Sequence, residues 1–415
     1  MMTIFFRVLK YEWKKNFGKT SILIIVLIFS MFNLINIYYQ YRSNSYFADD
    51  NGWKDAYWRV YDCFSGEITS EKLAELKKIY VPLAHKVADM TFNRAVDLDT
   101  ITGVNEFSDY LLLDSYYVAD MERFCEYAKK AEETALRAKA NVELYNAVGN
   151  VYQARANVKI YNLFQGRRIE KFAYIEGYNR MTEYTFSSWL VLLVCLFATS
   201  GIFSGEKEIQ MDKFLKTTKN GYYVTAYAKI MVVLLFSLSI SLWFSLVDYF
   251  GFSCIYGLAE AGSLPVFALP DFAFSALNCK LWQYSLLMFM CRTLGTAFFV
   301  LLCSFVSLFF STTLWPFVLG GVLTGMPCLL VIKTQNLYEN YWRVCNPAFL
   351  LNAKSIYKRT VFVNVCGEPV AVPLVAFCTS LFLCSILIIW IAHVYCRGGL
   401  LIGEQCGGRH ADSSL

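Results

Sequence analysis

Residues able to do acid–base or nucleophilic chemistry are few in this 415-residue chain and far apart. The only histidines, His85, His393 and His410, fall in a polar helical stretch, at the end of an apolar run and in a polar tail. No nucleophile with a base, no metal-ligand spacing and no paired carboxylates emerge from the sequence. Gly18-Lys19-Thr20 matches the end of a phosphate-binding loop. That loop also needs a glycine five residues before Gly18, where Trp13 stands, and a preceding strand, where a basic helix is read. The expectation is a chain that is not an enzyme, takes no cofactor and has no nucleotide site of its own, so that energy from ATP must come from a partner.

Of the fourteen cysteines, Cys195, Cys291, Cys303, Cys328, Cys378 and Cys384 lie in apolar runs, where cysteine acts as a small buried hydrophobe. Cys345 with Cys366 and Cys254 with Cys279 are candidate disulfides if their loops face an oxidising compartment.

The most informative charges lie in one short connection. Phe203-Ser204-Gly205-Glu206-Lys207-Glu208 leads through Asp212, Lys213, Leu215, Lys216 and Thr218 to Asn220-Gly221 and then Lys229. A charged helix and a turn held between two apolar stretches can pass a push from a protein at the membrane face into the membrane. A solvated loop obeying the positive-inside rule has the same composition. Residues 2–17 place Phe6, Leu9, Trp13 and Phe17 on one face, with Lys10, Lys14 and Lys15 elsewhere, as in a helix lying among lipid headgroups. Asp248, Arg292 and His393 fall near the ends of apolar stretches, which favours snorkelling over lining a path. Trp282, Tyr338, Tyr341 and Trp342 read as an interfacial aromatic belt.

The elements that position these residues follow from composition. The chain is 56% hydrophobic and 17% charged, with mean hydropathy +0.39, outside the balance of soluble domains. Its net charge of +5 is unevenly spread and gives no support to a nucleic-acid partner. A span takes about 20 mostly apolar residues, and the runs Ser21 to Tyr38, Phe186 to Phe203, Ile230 to Val247, Leu281 to Phe310, Leu314 to Ile332 and Leu374 to Tyr395 qualify. The first reads as a retained helix, since no small-residue cleavage site follows it. The expected fold is an all-α integral membrane protein with six transmembrane helices, an N-terminal amphipathic helix and a helical extracytoplasmic insertion between the first two spans. By residue, these are the amphipathic helix 1–20; spans 21–39, 186–204, 230–250, 281–311, 314–332 and 373–396; the insertion 40–185; the coupling loop 205–229; the outer or re-entrant segment 251–280; the outer loop 333–372; and the tail 397–415.

Lysine and arginine set the orientation. Arg7, Lys10, Lys14, Lys15 and Lys19 against Glu12 place the N-terminus in the cytoplasm of a cell-membrane protein, and Lys207, Lys213, Lys216, Lys219 and Lys229 place the 205–229 loop there too. One region disagrees. Lys333, Arg343, Lys354, Lys358 and Arg359 outnumber Glu339 after the fifth span, yet the span count puts that loop outside. The count is preferred, because early segments dominate orientation, and both termini are then cytoplasmic. The run Gly257 to Asn278, broken by Pro265 and Pro270, is expected as a surface or re-entrant segment on the outer side.

Between Gln40 and Thr185 there are 22 acids and 19 bases, a water-facing composition. Met121, Phe124, Ala128, Ala131, Ala135, Ala138, Val142, Tyr145, Gly149 and Tyr152 repeat at alternating three and four spacing, which predicts a coiled-coil-like helix continuing toward Phe164. Gln165-Gly166-Arg167-Arg168 is the expected turn into a last helix. An earlier helix is expected over Ser70 to Met90, with Ser70 as its N-terminal signal and a kink at Pro82.

This arrangement resembles the permease subunits of bacterial type-2 ABC exporters, in which a Phe-x-x-Glu-x-Glu element after the second span leads to a Leu-x-x-Thr-x-x-Gly-like stretch and a lysine opening the third. Phe203, Glu206, Glu208, Leu215, Thr218, Gly221 and Lys229 match that pattern. So do the six spans, the amphipathic first helix and the stretch from Asn346-Pro347 to Val365-Cys366-Gly367-Glu368-Pro369-Val370; Gln210-Met211 and Lys219 stand where many members have Gly and Pro. The resemblance lies outside the insertion. It implies that residues 205–220 include a coupling helix docking into a cytoplasmic ATP-binding subunit. It also implies that two permease copies, identical or related, surround a path for an amphipathic substrate such as a peptide, drug or lipid. Glu206→Lys and Glu208→Lys are then expected to uncouple transport while leaving folding largely intact. The other reading is a membrane sensor or structural protein whose outer helical stalk binds a ligand or partner.

Overall fold

Apolar runs that must satisfy every backbone amide internally have helix as their local solution. The computed structural model, which describes residues 2–44, 52–211, 221–333 and 344–408, is accordingly mostly helical. Among the described residues six helical stretches are long and apolar enough to cross a membrane: Thr20–Asn44, Glu176–Glu208, Tyr223–Ile255, Leu281–Ser307, Leu314–Val331 and Val372–Cys396. They follow the six expected runs in order and fit a multi-pass membrane protein.

Helix α1 (Met2–Asn16) precedes the first span, α2 (Thr20–Asn44). The insertion holds α3 (Trp53–Phe64), β1 (Gly66–Glu67), α4 (Ser70–Ala88), α5 (Glu106–Leu113), a π-helical turn (Asp114–Val118), α6 (Ala119–Ala147), α7 (Val151–Phe164) and β2 (Lys171–Phe172). The second span is three helices end to end, α8 (Glu176–Glu183), α9 (Phe186–Thr199) and α10 (Gly201–Glu208). Then come α11 (Gly221–Ile255), α12 (Leu281–Ser307), α13 (Leu314–Lys333), α14 (Ala353–Tyr357), the strands β3 (Phe362–Val365) and β4 (Glu368–Ala371), and α15 (Val372–Gly408). Helix α12 packs against α9, α11, α13 and α15, and α11 also packs against α1 and α2. Gly251 allows the α2 contact: a Cβ there would lie 3.0 Å from Leu34 and 3.1 Å from Ile37.

One hydrophobic core joins Tyr57, Tyr117, Phe124 and Phe172 of the insertion to Val266, Leu269 and Phe272 and to Phe349 and Ile356. Polar contacts stitch the same three connections. Arg167 donates to Ser275 O (2.8 Å) and Leu277 O (3.3 Å), Lys159 to Pro369 O (2.6 Å) and Thr360 N to Phe274 O (2.8 Å), while Arg155 pairs with Glu368. The connections after the first, third and fifth spans therefore share one end of the bundle, as the span count requires. Two of the lysines that argued against this are matched there: Lys354 pairs with Glu183 (2.8 Å) and Asp271 (2.5 Å), and Lys358 with Asp271 (2.5 Å).

Several expectations are corrected. The Gly257–Asn278 run, expected as a surface or re-entrant segment, coils through short 3-10 turns against the insertion, with Val266, Ala268, Leu269 and Phe272 buried and Gly257, Glu260 and Phe274 exposed. The long seam helix ends at Ala147, after which Gly149 (φ 77°) turns the chain and the Asn150 side chain accepts from Gln153 N at 3.1 Å. Helix α7 then runs back along α6, with Asn141 donating to Asn157 at 3.3 Å, and Ala131, Ala135, Ala138, Ala154 and Ala156 are buried. Helix α4 is capped by Thr69, not Ser70, and continues past Pro82. Cys254, Cys279, Cys345 and Cys366 are free thiols. Cys366 occupies the exposed two-residue turn of the β3–β4 hairpin with Gly367, both at positive φ.

Candidate functional site

Among the described residues, two clusters of buried charge lie near opposite ends of the bundle. The one away from the insertion begins with Lys229, eight residues into α11 by sequence and fully buried. Its Nζ lies 2.7 Å from Glu206 Oε2 at the end of α10, donates to Ile202 O at 2.7 Å and sits 5.1 Å from the centre of the Phe203 ring. The other Glu206 oxygen accepts from Lys15 of α1 at 2.5 Å. Glu12, one turn earlier, lies 3.9 Å from Lys229 and accepts from Asn16 at 2.9 Å. Partial burial opposes the charge of Lys15, but its hydrogen bond with Glu206 and the attraction of Glu206 and Glu12 outweigh this and raise its pKa.

Aromatic packing aligns these charges. Phe17 stacks on Phe236 of α11 with ring centres 4.0 Å apart, and Trp13 meets the same ring edge-on at 6.2 Å. The hydrophobic face of α1 thus packs on protein at Trp13 and Phe17, while Phe6 stays exposed. On the other flank Ser307 of α12 accepts from Phe203 N (3.2 Å) and Ser204 N (2.9 Å) and donates to Ser200 O (2.8 Å), serving backbone groups where α9 meets α10. Lys207 donates to Leu308 O.

The second cluster lies toward the insertion. Asp248 of α11 accepts from Asn33 of α2 (2.6 Å), Ser187 of α9 (2.7 Å) and Arg292 Nη1 of α12 (2.8 Å). Tyr184 donates to Asn33 Oδ1 at 2.7 Å. Four spans thereby converge on one carboxylate. Asp248 and Arg292 are 5% and 7% exposed, so the snorkelling expectation is overturned: each charge is met by the other inside the bundle. His393 is exposed on α15.

Of the residues read as coupling elements, Glu206 is buried in the first cluster and Lys207 is bound to α12, whereas Glu208 is exposed beside Ile209 and Met211. Gly221 opens α11. Asp212, Lys213, Leu215, Lys216 and Thr218 lie outside the described residues. The expectation that Glu206→Lys leaves folding intact is corrected, because a third cation would be buried beside Lys15 and Lys229. Glu12, Lys15, Asn33, Tyr184 and Ser187 are partners that the sequence reading did not assign. Glu12 had a signal, as the lone acid in a basic segment, and so did Asn33, as an amide within an apolar span. Comparison of the chain with protein-family models, with curated proteins and with solved structures finds no match.

Proposed function

We propose that this chain is the membrane-spanning permease subunit of an ATP-binding cassette exporter, working as a pair of permease chains with a separate cytoplasmic ATP-binding subunit and moving an amphipathic substrate. The observation that carries this reading is the Lys15–Glu206–Lys229 cluster. It fastens both ends of the 205–229 connection, the end of α10 and the start of α11, to each other and to α1. A force applied to that connection enters two spans together and does not bend a loose loop. Glu208, Ile209 and Met211 project from the fastened end and offer a partner one charge and two apolar side chains. On this reading the connection faces the cytoplasm, the insertion is extracytoplasmic, and α1 keeps Phe6, Lys10 and Lys14 toward the lipid headgroups.

Co-expression with an ATP-binding cassette protein, taken from a gene beside this one if one is found there, tests the proposal. The expected result is a stable complex whose ATP hydrolysis requires both chains. Glu208→Lys should lower coupled hydrolysis at least tenfold, as order of magnitude, without changing the melting temperature of the isolated chain. Failure to form any complex that hydrolyses ATP overturns the reading.

A sensor is the second reading, favoured by the insertion being stitched to both other connections on its side, which makes one body able to pass a binding event to four spans. A histidine kinase or transcription regulator encoded beside the chain, in place of an ATPase, would favour it.

A further inference from the structure

The Asp248–Arg292 cluster leaves half of a guanidinium unused. Arg292 donates from Nη1 alone, to Asp248 and to Ser245 at 3.3 Å, and its Nε and Nη2 make no hydrogen bond among the described residues. The Nε–Nη2 edge is a planar fork that matches two oxygens of one oxyacid group. Arg292 is 7% exposed and lines two cavities. One, of about 40 Å³, is bounded by Ser245 and Tyr249 of α11 and Ser285, Met288 and Phe289 of α12, with Met181, Tyr184 and the ion-paired Asp248 closing it. The other, of about 10 Å³, is bounded by Thr185, Ser188 and Asn352. Thr185 is the residue before the first turn of α9, where the second span is interrupted, so the positive end of a 14-residue helix borders the second cavity. Irregular backbone at membrane depth is tolerated where it lines such a space.

We propose that this is a binding site for the compact oxyacid headgroup, phosphate or carboxylate, of an amphipathic molecule that enters from the lipid between α11 and α12. The larger cavity has room for a compact oxyacid group, whereas the smaller is no bigger than a single water needs. The entrance decides the rest of the molecule. Tyr249 is exposed and Ser285, Met288 and Phe289 are half-buried, so an apolar tail can lie along them while the head reaches Arg292. Asn33 and Ser187 keep Asp248 hydrogen-bonded when Arg292 turns its free edge to the ligand. The site stands whether or not an ATPase partners the chain.

The test is calorimetric titration of the full chain, in a phosphate-free maltoside detergent, with dioctanoyl phosphatidic acid, decanoate and inorganic phosphate. Saturable binding of the two amphiphiles at one site per chain is expected, weakened at least tenfold, as order of magnitude, by Arg292→Gln and by Ser285→Trp, which fills the entrance without touching the ion pair. No saturable binding, or equal binding by both variants, overturns the site. Inorganic phosphate binding as tightly as the amphiphiles overturns the lipid-side entry. If Arg292→Gln does not fold, Ser285→Trp decides alone.

Discussion

At the end of the bundle away from the insertion, two lysines and two glutamates from α1, α10 and α11 close on one another, and backbone carbonyls and aromatic rings occupy the space around them. Toward the insertion, one aspartate and one arginine meet among four spans, the aspartate with three partners and the arginine with a free edge beside two cavities. Both clusters place charge where desolvation costs several kcal/mol per ion, of order, unless it is paired. The difference teaches that burial of charge alone does not distinguish a fastening from a receptor. Hydrogen-bonding capacity left beside open space does.

The comparison is broken most directly at Glu206. Replacing it with leucine strands Lys229 in an apolar core, at an expected cost of about 3–5 kcal/mol. Adding Lys229→Met to Glu206→Leu should restore most of that loss, because an apolar pair of similar volume removes the uncompensated charge. Unfolding of the purified chain in detergent measures both. A harmless single substitution, or a double as unstable as the sum of the singles, would show that the cluster does not fasten α10 to α11.

Asp248→Asn comes next, with an expected loss of about 1.5–3 kcal/mol. The amide keeps an acceptor for Arg292 but removes the countercharge, and an Nδ2 group replaces one oxygen that now accepts a hydrogen bond. The loss should stay below that at Glu206, since Arg292 borders space that water can enter whereas Lys229 is fully buried. Equal losses at the two positions would erase the distinction. Glu12→Gln sharpens it within the first cluster. At 3.9 Å from Lys229, Glu12 is a more distant partner than Glu206 at 2.7 Å, and the expected loss is about 1 kcal/mol in the same unfolding assay. A loss matching that of Glu206→Leu would make the two carboxylates equal partners.

Much of the bundle was legible because a span announces itself locally: apolar length needs no partner to be recognised. Contacts between distant segments were not. Asp248 lies two turns before the end of α11 and Arg292 about three turns into α12, so their shared connection sets them at similar depth. That relation is present in the sequence, but a charge near the end of a single span looks the same whether it snorkels or pairs until its neighbour is placed. The α6–α7 turn was hidden differently. Val142, Tyr145, Gly149 and Tyr152 continue the apolar repeat across the break, while the adjacent glycine and asparagine carried the true signal, one suited to left-handed backbone and the other to an N-cap. The fastening role of Glu206 was illegible because its match to a family motif says nothing of burial.

Asp271 supplies the smallest effect and a third term in the comparison, since it forms ion pairs like those inside the bundle but at a water-accessible surface. Burial alone would raise its pKa; hydrogen bonds and attraction from Lys354 and Lys358 outweigh that and hold it below the usual aspartate range. A carboxylate with a depressed folded pKa contributes stability above its unfolded pKa, and that contribution disappears as pH falls through the folded value. Acidification from pH 7 to about 5 should therefore leave the 344–371 connection as protected from hydrogen exchange as before, and protection should fall only below about pH 4. Solvent screening limits the change to about 1 kcal/mol, well under the loss at Glu206. In Asp271→Asn the connection should be loosened already at pH 7, with no further step assignable to this residue on acidification. An acid step of the same size in that variant would assign the titration elsewhere and leave the Lys354–Asp271–Lys358 bridge without a stabilising role.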